Sequence, residues 1–174
     1  MQLYLIRHGI AAARGPQYPD DSQRPLTRAG EARMRLEADA LVVLDIAFDI
    51  ILTSPLLRAT QTAAIVAAGR GTRTATPVTE SEALACNGTP DDVWALLAGH
   101  ADSDAIALVG HEPNLGDLVG TLIGAGTPMR FKKGAICRID VPLDGPLEGT
   151  RDRTRLGELR WFLPPRVLRA IGRG

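Results

Sequence analysis

The chain has 174 residues and a mass of 18.6 kDa, and 20 basic side chains balance 20 acidic ones to give a formal net charge of zero. This length can bury a full hydrophobic core, so we expect residues 1–174 to form a single domain. With 45% hydrophobic, 23% charged and only 4% aromatic residues, the composition excludes a disordered chain and argues against a nucleic-acid-binding protein.

The first predicted elements are a strand and a helix. Leu3–Ile6 is a continuous apolar run and predicts a strand that is buried on both faces. Thr27 is a residue type that caps helix N-termini, and the pattern after it predicts an amphipathic helix. Spacings of four, four and three place its apolar side chains on one face, which we expect to be buried: Ala32, Leu36, Ala40 and Val43.

A second strand and helix follow directly. Asp49–Thr53 predicts another buried strand. Ser54-Pro55 combines a capping residue with a proline that suits the first helical turn, and it predicts a helix over Leu56–Ala68.

The middle of the chain predicts two more helices around a third strand. Thr89-Pro90 repeats the start signal and predicts a helix over Val93–Ala98, which Gly99 ends. Ala105–Val109 predicts the third strand, and another helix is expected to begin near Pro113. Buried strands that alternate with helices indicate an α/β protein.

Near the C-terminus, Gly134–Val141 and Leu156–Leu163 predict two further strands that form a hairpin or an addition to the sheet edge. The segment between them, Pro142–Arg155, is polar and charged and predicts a loop. Val167–Ile171 predicts a short closing helix.

The N-terminus and the cysteines predict where the protein resides. The first apolar run is too short for a signal peptide, and no run approaches the length of a membrane span. Cys86 and Cys137 lie in unrelated contexts without CxxC spacing, which disfavours a disulfide framework or a zinc site. We therefore expect a cytoplasmic protein without a membrane partner.

Reactive side chains follow three of the predicted strands. Arg7-His8-Gly9 follows the first strand, and Ser54-Pro55 follows the second, with Arg58 one turn into the next helix. Gly110-His111-Glu112-Pro113 follows the third. Ligands of open α/β sheets bind at the carboxyl ends of the strands, where turns and helix starts offer free backbone N–H groups to an anion. Two arginines and two histidines at this edge predict a phosphate-binding site.

These segments resemble the histidine phosphatase superfamily, whose fold is described as phosphoglycerate mutase-like. The resemblance rests on Arg7-His8-Gly9, on Ser54–Ala63 and on Gly110-His111-Glu112-Pro113. Arg24–Gly30, Lys133-Gly134-Ala135 and the small size look like its short SixA-type phosphohistidine phosphatase branch. The similarity covers nearly the whole chain, and it implies a three-layer sandwich with a central, mostly parallel sheet flanked by helices.

The resemblance implies a role for each of four residues. His8 would be the nucleophile, phosphorylated and then hydrolysed, while Arg7, Arg58 and His111 would hold the phosphoryl oxygens. The physical chemistry agrees, since a neutral imidazole can attack phosphorus and guanidinium groups stabilise charge on the equatorial oxygens. Such a reaction requires no metal, and we expect no cofactor.

Arg24 and Gly9 are the candidates for additional substrate binding. An equally good interpretation makes Arg24 a loop residue that pairs with Asp20 or Asp21. We interpret Lys132-Lys133 as residues that protect a sheet edge from pairing, rather than as phosphate ligands.

The general acid is the least defined member of the predicted site. Larger members of the family place a carboxylate just before a leucine in this region, but here Ala83 precedes Leu84. Glu82, one position away, is a possible acid. We hypothesise that a phosphohistidine substrate needs a dedicated acid less, because a protonated imidazole ring is a better leaving group than an alkoxide. Other carboxylates that could serve are Asp20, Asp21 and Glu112.

Other catalytic motifs fail on inspection. The segment His111–Leu115 begins like a zinc-binding HExxH motif but ends in leucine, and Gly124-Ala125-Gly126 lacks the later glycine of a dinucleotide loop. No Walker motif and no GxSxG elbow is present. Zinc, nucleotide and serine-hydrolase chemistry are therefore disfavoured.

The sequence thus predicts a metal-independent phosphatase that acts on phosphohistidine in a protein, such as a histidine-containing phosphotransfer domain, through a phosphorylated His8. One alternative is a phosphatase of small phosphorylated molecules. A second is a phosphate-binding module of the same fold that has no turnover.

Overall fold

The computed structural model describes residues 1–69, 76–142 and 157–174. In this part of the chain, strands and helices alternate as the sequence predicts. The strands are β1 (Gln2–Arg7), β2 (Ile50–Thr53), β3 (Val78–Glu80), β4 (Ala105–Gly110), β5 (Ile136–Asp140) and β6 (Glu158–Leu163). The helices are α1 (Arg28–Val43), α2 (Leu57–Ala67), α3 (Pro90–Ala98), α4 (Asn114–Leu122) and α5 (Pro165–Ile171), with one-turn 3-10 helices at Asp21–Gln23 and Glu82–Leu84.

The six strands form one sheet in the order β3-β2-β4-β1-β5-β6. Strands β1 to β4 are mutually parallel where they pair, whereas β5 pairs antiparallel with both β1 and β6. The predicted C-terminal pair is therefore a hairpin that adds to the sheet next to β1. The predicted α/β class with a mostly parallel sheet is confirmed.

Two hydrophobic cores cover the two faces of the sheet. Leu3 and Leu5 of β1 pack into the core formed with α3 and α4. Tyr4 and Ile6, which alternate with them, pack into the core formed with α1, α2 and α5. Alternating side chains of one strand point to opposite faces, so β1 is a continuous apolar run because both faces are covered. The result is the predicted three-layer sandwich.

The buried face of α1 differs from the prediction. Thr27 caps the helix as expected, with its Oγ1 accepting a hydrogen bond from the Gly30 amide at 2.9 Å. Ala40 is buried, but Ala32 is exposed and Val43 is 61% exposed. The buried residues of the helix are Gly30, Met34, Glu37, Ala38, Ala40 and Leu41.

A buried ion pair explains why the buried face of α1 differs from the predicted one. Glu37 is 2% exposed, and its Oε1 accepts a hydrogen bond from Nη1 of Arg169 in α5 at 2.5 Å. Gly172 at the end of α5 also lies against α1, since a Cβ there would be 2.0 Å from the Leu36 carbonyl oxygen. Because the charged Glu37 lies in the buried face of α1, that face lacks a regular apolar pattern in the sequence. The apolar spacing therefore predicted the wrong face of the helix.

The helix after β2 begins later than predicted. Ser54 is not its cap: α2 starts at Leu57, and Leu56 occupies the N-cap position without a side-chain hydrogen bond. The hydroxyl of Ser54 instead contacts His111, as described below. The predicted start at Thr89 is confirmed, because Thr89 and Asp92 form a capping box at the beginning of α3.

Two further features were not expected from the sequence. The short strand β3 is exposed along its length and carries no buried apolar run that could have identified it. Lys132-Lys133 precede β5, which has neighbours on both sides, so the interpretation that they protect a sheet edge is wrong.

Most of the predicted loop Pro142–Arg155, and the first residue of the predicted strand Leu156–Leu163, lie outside the described residues. Among the described helices, none combines the length and apolar character that crossing a bilayer requires.

Candidate active site

The carboxyl ends of β1, β2 and β4 meet at one edge of the sheet. These three strands are adjacent and parallel, in the order β2-β4-β1. Backbone hydrogen bonds continue just past the strands, from the His8 amide to Gly110 at 3.1 Å and from the Ser54 amide to Val109 at 3.0 Å. The three segments predicted to carry the chemistry are therefore held side by side by the backbone itself.

His8 lies buried at the end of β1 with one ring nitrogen engaged. Its Nδ1 is 2.7 Å from the Gly9 carbonyl oxygen, which can only accept, so Nδ1 carries the proton and Nε2 keeps its lone pair. Burial, followed by the nearby His111 and the charges of Arg58 and Arg7, lowers the pKa of His8 to about 3. The ring is therefore neutral at physiological pH, the form that a nucleophile requires.

His111 lies next to His8 at the end of β4. The centroids of the two rings are 5.0 Å apart. Nε2 of His111 is 2.8 Å from the Ser54 hydroxyl oxygen, which also accepts a long hydrogen bond from the Leu56 amide at 3.3 Å. Among the described residues, Nε2 of His111 is the acceptor that the Ser54 hydroxyl proton can reach, so we assign that proton to the bond with Nε2, which places the ring proton on Nδ1.

Nδ1 of His111 is buried without a hydrogen-bond partner among the described residues. Burial and the charge of Arg58 lower the pKa of His111 to about 4, although Asp21 opposes the shift. A buried N–H without a protein acceptor costs free energy unless a ligand satisfies it. This group can donate to an oxygen of a bound phosphoryl group.

The side chain of Arg7, the last residue of β1, is held by the segment that precedes β5. Its Nη1 donates to the Phe131 carbonyl at 2.5 Å, and the Phe131 amide donates to Oε1 of Glu112 at 3.2 Å. Nε of Arg7 is buried without a partner among the described residues. Arg7 is therefore positioned by Phe131, which Glu112 holds in turn, and retains a donor for an anion.

Arg58 occupies the first turn of α2 and is 2% exposed. Its Nη1 donates to the Asp21 carbonyl at 2.8 Å, and its Nη2 is 2.9 Å from the Asp21 carboxylate and 4.0 Å from Sγ of Cys86. Its Nε also lacks a partner in the described part of the chain. The guanidinium is thus fixed in orientation and keeps one donor unused.

Asp21 links three arginines near the mouth of the site. Beyond Arg58, its carboxylate pairs with Arg24 at 3.0 Å and with Arg14 at 2.9 Å. Partial burial works to raise the pKa of Asp21, but the hydrogen bond from Arg24 and the three cationic charges outweigh it and lower the pKa. The carboxylate is therefore ionised and holds the loop before α1 onto α2.

The structure places Arg24 within this network. In addition to Asp21, it contacts the Ala12 carbonyl, to which its Nη1 donates at 2.7 Å. The sequence-based pairing of Arg24 with Asp21 is confirmed. A direct role of Arg24 toward substrate stays a prediction.

Gly9 contributes to the site through its neighbours. Its amide donates to Oγ1 of Thr62 at 3.1 Å, and Thr62 in turn donates to the Arg58 carbonyl at 2.7 Å. Its own carbonyl accepts from His8. Both backbone groups of Gly9 are therefore engaged within the protein, and in this arrangement they orient His8 and α2. Thr62 was not singled out from the sequence because a threonine inside a helix gives no functional signal.

The four candidate acids have different surroundings. Glu82 is exposed in a 3-10 helix, and its carboxylate forms no hydrogen bond or ion pair with the described residues. Asp20 caps the other 3-10 helix, with its Oδ1 accepting from Ser22. Asp21 is engaged by arginines. Glu112 is half-buried, and burial raises its pKa while Phe131 and Arg7 oppose the shift. None of these carboxylates contacts His8 or His111 by a hydrogen bond.

Lys133, which the sequence suggested protects a sheet edge, lies next in the chain to a residue that contacts Arg7. It lies in the turn before β5, where the next residue, Gly134, donates its amide to the Arg7 carbonyl at 3.1 Å. Partial burial and then the charges of Arg7, Arg24 and Arg58 lower the pKa of Lys133. Its ammonium group therefore lies within the electrostatic reach of all three guanidinium groups.

The arrangement combines a neutral nucleophile with donors for a tetrahedral anion. At this edge of the sheet, three buried nitrogen atoms have no hydrogen-bond partner among the described residues: Nε of Arg7, Nε of Arg58 and Nδ1 of His111. Charge-assisted hydrogen bonds to phosphate oxygens are the strongest interactions such groups make. Within residues 1–69, 76–142 and 157–174, no three His, Cys, Asp or Glu side chains form a group that could hold a metal ion.

Comparisons with known proteins identify the family to which the chain is similar. The family model for the histidine phosphatase superfamily (branch 1) matches residues 3–85. An uncharacterized protein of Picosynechococcus sp. is 45% identical over 140 residues, which cover 78% of this chain and 82% of that protein. Phosphohistidine phosphatase SixA of Escherichia coli is 30% identical over 167 residues, which cover 95% of this chain and 94% of that protein. Among solved structures, the protein histidine phosphatase SixA complexed with tungstate matches with a TM-score of 0.77 and 28% identity, over 95% of this chain and 97% of that one.

Proposed function

Because the chain belongs to the histidine phosphatase superfamily, we propose that it hydrolyses phosphohistidine on a protein through a phosphorylated His8 intermediate. The observation that carries this proposal is the hydrogen bond from Nδ1 of His8 to the Gly9 carbonyl, which leaves Nε2 free to attack. Membership of the family supports phosphatase activity, and the SixA relative supports phosphohistidine as the substrate.

In the first step, the Nε2 lone pair of His8 attacks phosphorus, and the bond from phosphorus to the leaving nitrogen breaks. The new phosphoimidazole ring of His8 is cationic because Nδ1 keeps its proton, and the Gly9 carbonyl stabilises that charge. The unpartnered donors of Arg7, Arg58 and His111 would satisfy the equatorial oxygens as they take up charge.

In the second step, water attacks phosphorus and the bond to Nε2 of His8 breaks. His8 leaves as a neutral imidazole that still carries the proton on Nδ1, so no group has to protonate it at Nε2. The water proton leaves with inorganic phosphate or passes to solvent. Two displacements at one phosphorus atom thus replace a single direct hydrolysis.

Phosphohistidine suits this site because of its leaving group. When the remote nitrogen of the substrate ring is protonated, the ring departs as neutral imidazole and needs no proton at the breaking bond. The described site is compatible with this requirement, since Asp20, Asp21 and Glu112 are engaged by other groups of the protein and Glu82 is exposed. An ester substrate would instead leave as an alkoxide and would depend on a proton donor.

A comparison of substrates tests the proposal. The rate of phosphate release is measured on a phosphorylated histidine-containing phosphotransfer domain and on a panel of small phosphoesters, with His8→Ala as the control. The proposal expects a strong preference for the phosphorylated domain and loss of turnover in the variant. An overwhelming preference for a small ester would contradict the proposal and would indicate a phosphatase of small phosphorylated molecules. Phosphate binding without turnover of any substrate would indicate a binding module.

Trapping the intermediate tests the chemistry independently. Rapid quench of the wild-type protein with a radiolabelled substrate is expected to give an acid-labile, base-stable phosphoryl label on His8.

We also propose a cytoplasmic location, which the free thiols of Cys86 and Cys137 support. A role in signalling by histidine phosphorylation follows from the proposed substrate.

A further inference from the structure

A cavity of about 230 Å³ adjoins the phosphoryl site on the side of α3 and α4. Its apolar wall includes Leu84, Val93, Leu115 and Leu118, and we call it the α3/α4 cavity. Neither His8, Arg7 nor Arg58 lines it. Of the groups proposed to bind the phosphoryl oxygens, only His111 is shared with the cavity among the described residues.

Two residues connect the α3/α4 cavity to those groups. His111 lines the cavity, and its ring centroid is 5.0 Å from that of His8. Cys86 also lines the cavity, and its Sγ is 4.0 Å from Nη2 of Arg58. A substrate whose phosphorus atom lies between His8 and Arg58 can thus extend into the cavity between Cys86 and His111.

The charges around the α3/α4 cavity limit what it can bind. Among the described residues of its lining, Asp117 is the one charged side chain. The N-terminus of α3 borders the cavity at Thr89, where the capping box engages the Thr89 and Asp92 amides. No lysine or arginine among the described lining residues is available to pair with a second anionic group.

We propose that the α3/α4 cavity is the subsite for the leaving group of the substrate, and that it takes a compact ring that is uncharged or cationic. This inference rests on the proposed function for the position of the phosphorus atom. It excludes substrates that carry a second phosphate or a carboxylate near the scissile bond. An imidazole ring fits this subsite, because it is compact and is either uncharged or cationic.

Binding of phosphonates tests the subsite without requiring turnover. Isothermal titration compares phenylphosphonate, which carries a ring, with methylphosphonate, which does not. The wild-type protein is expected to bind phenylphosphonate about tenfold more tightly, because the ring leaves water for an apolar wall. At pH 7, 4-carboxyphenylphosphonate is expected to bind more weakly than phenylphosphonate, and Asp117→Asn should reduce that difference.

Two variants narrow the cavity and one serves as a matched control. Ala83→Leu and Ala83→Phe each add bulk at a lining residue and are expected to abolish the preference for phenylphosphonate while leaving methylphosphonate binding within about twofold. Asn87→Phe adds a ring at the exposed neighbouring position, which does not line the cavity, and should retain the preference. Thermal unfolding confirms that each variant is folded.

The outcomes separate the subsite from the proposed function. If the wild-type protein binds the two phosphonates equally, or if the preference persists in both narrowed variants, the subsite is wrong. If the wild-type protein prefers phenylphosphonate and both narrowed variants lose this preference, the subsite is supported. If that protein nevertheless turns over no phosphorylated substrate, the proposed function is wrong.

Discussion

The carboxylate of Asp21 lies 2.9 Å from Nη2 of Arg58, so a guanidinium proposed to bind phosphate already binds an anion of its own chain. Replacing this carboxylate raises the local positive charge by one. The bond from Nη1 of Arg58 to the Asp21 backbone carbonyl would remain and would keep the side chain in place. We therefore expect Asp21→Asn to bind inorganic phosphate roughly 3- to 10-fold more tightly at low salt, measured by isothermal titration.

Asp20→Asn is the matched control for this prediction. Asp20 is adjacent, but its side chain caps Ser22 and has no contact with Arg58. Phosphate affinity should change little in that variant. Weaker phosphate binding by Asp21→Asn would contradict the prediction and would make Asp21 a positioning residue for Arg58.

The second prediction concerns the protonation of His8. Since burial lowers its pKa to about 3, its Cε1–H proton resonance should show no titration step between pH 5 and pH 8. The unfolded chain binds a proton near pH 6.5 that folded His8 does not, so this residue stabilises the fold above pH 6.5 and that stability is lost as the pH falls toward 3. NMR titration measures the step, and His8→Ala assigns the signal. A midpoint near 6.5 would be inconsistent with a buried, neutral ring.

The third prediction concerns Glu82. Because its carboxylate is exposed and forms no hydrogen bond with the described residues, Glu82→Gln should retain phosphohistidine cleavage within about threefold of the wild-type rate. Steady-state kinetics on the phosphorylated domain measure this. Loss of cleavage with intact phosphate binding would assign the general acid to Glu82 and would refute the hypothesis that phosphohistidine needs none.

The fourth prediction concerns the buried ion pair of Glu37 and Arg169. Burial raises the pKa of Glu37 to about 7, although the hydrogen bond and charge of Arg169 oppose the shift. The folded state thus binds this proton more tightly than the unfolded state. The resulting stability is present below about pH 4.5 and is lost as the pH rises through 7.

Glu37→Gln isolates this contribution, because glutamine does not titrate. Relative to the wild-type protein, the variant should gain free energy of unfolding between pH 5 and pH 8, by at most about 3 kcal/mol. Urea unfolding at the two pH values gives the difference. If the variant instead loses stability at pH 8, the ion pair with Arg169 outweighs the cost of burying the charge.

The parts of the site that the sequence predicts best are those on strand ends. Arg7-His8-Gly9 and Gly110-His111 follow apolar runs whose length identifies strands, and parallel strands bring their carboxyl ends together. Their positions therefore follow from local sequence and topology. Sequence pattern alone also predicts the cap at Thr27 and the start of α3, since capping is a local interaction.

The parts that could not be predicted depend on contacts between distant segments. Glu37 of α1 is buried because Arg169 of α5 pairs with it, and that pairing spans 132 positions in the chain. Ser54 does not cap α2, because its hydroxyl forms a hydrogen bond with His111, a residue far away in the chain. Lys133 does not protect a sheet edge, because β5 lies between β1 and β6. In each case a tertiary contact overrides a local preference.

The two cores on opposite faces of the sheet also have a consequence for protein engineering. The helix that carries Arg58 belongs to one core, whereas Leu115 and Leu118, which line the α3/α4 cavity, belong to the other. A library of substitutions confined to α3 and α4 would therefore sample new substrates without disturbing the packing beneath Arg58. Selectivity and catalytic power could then be optimised in separate rounds of directed evolution.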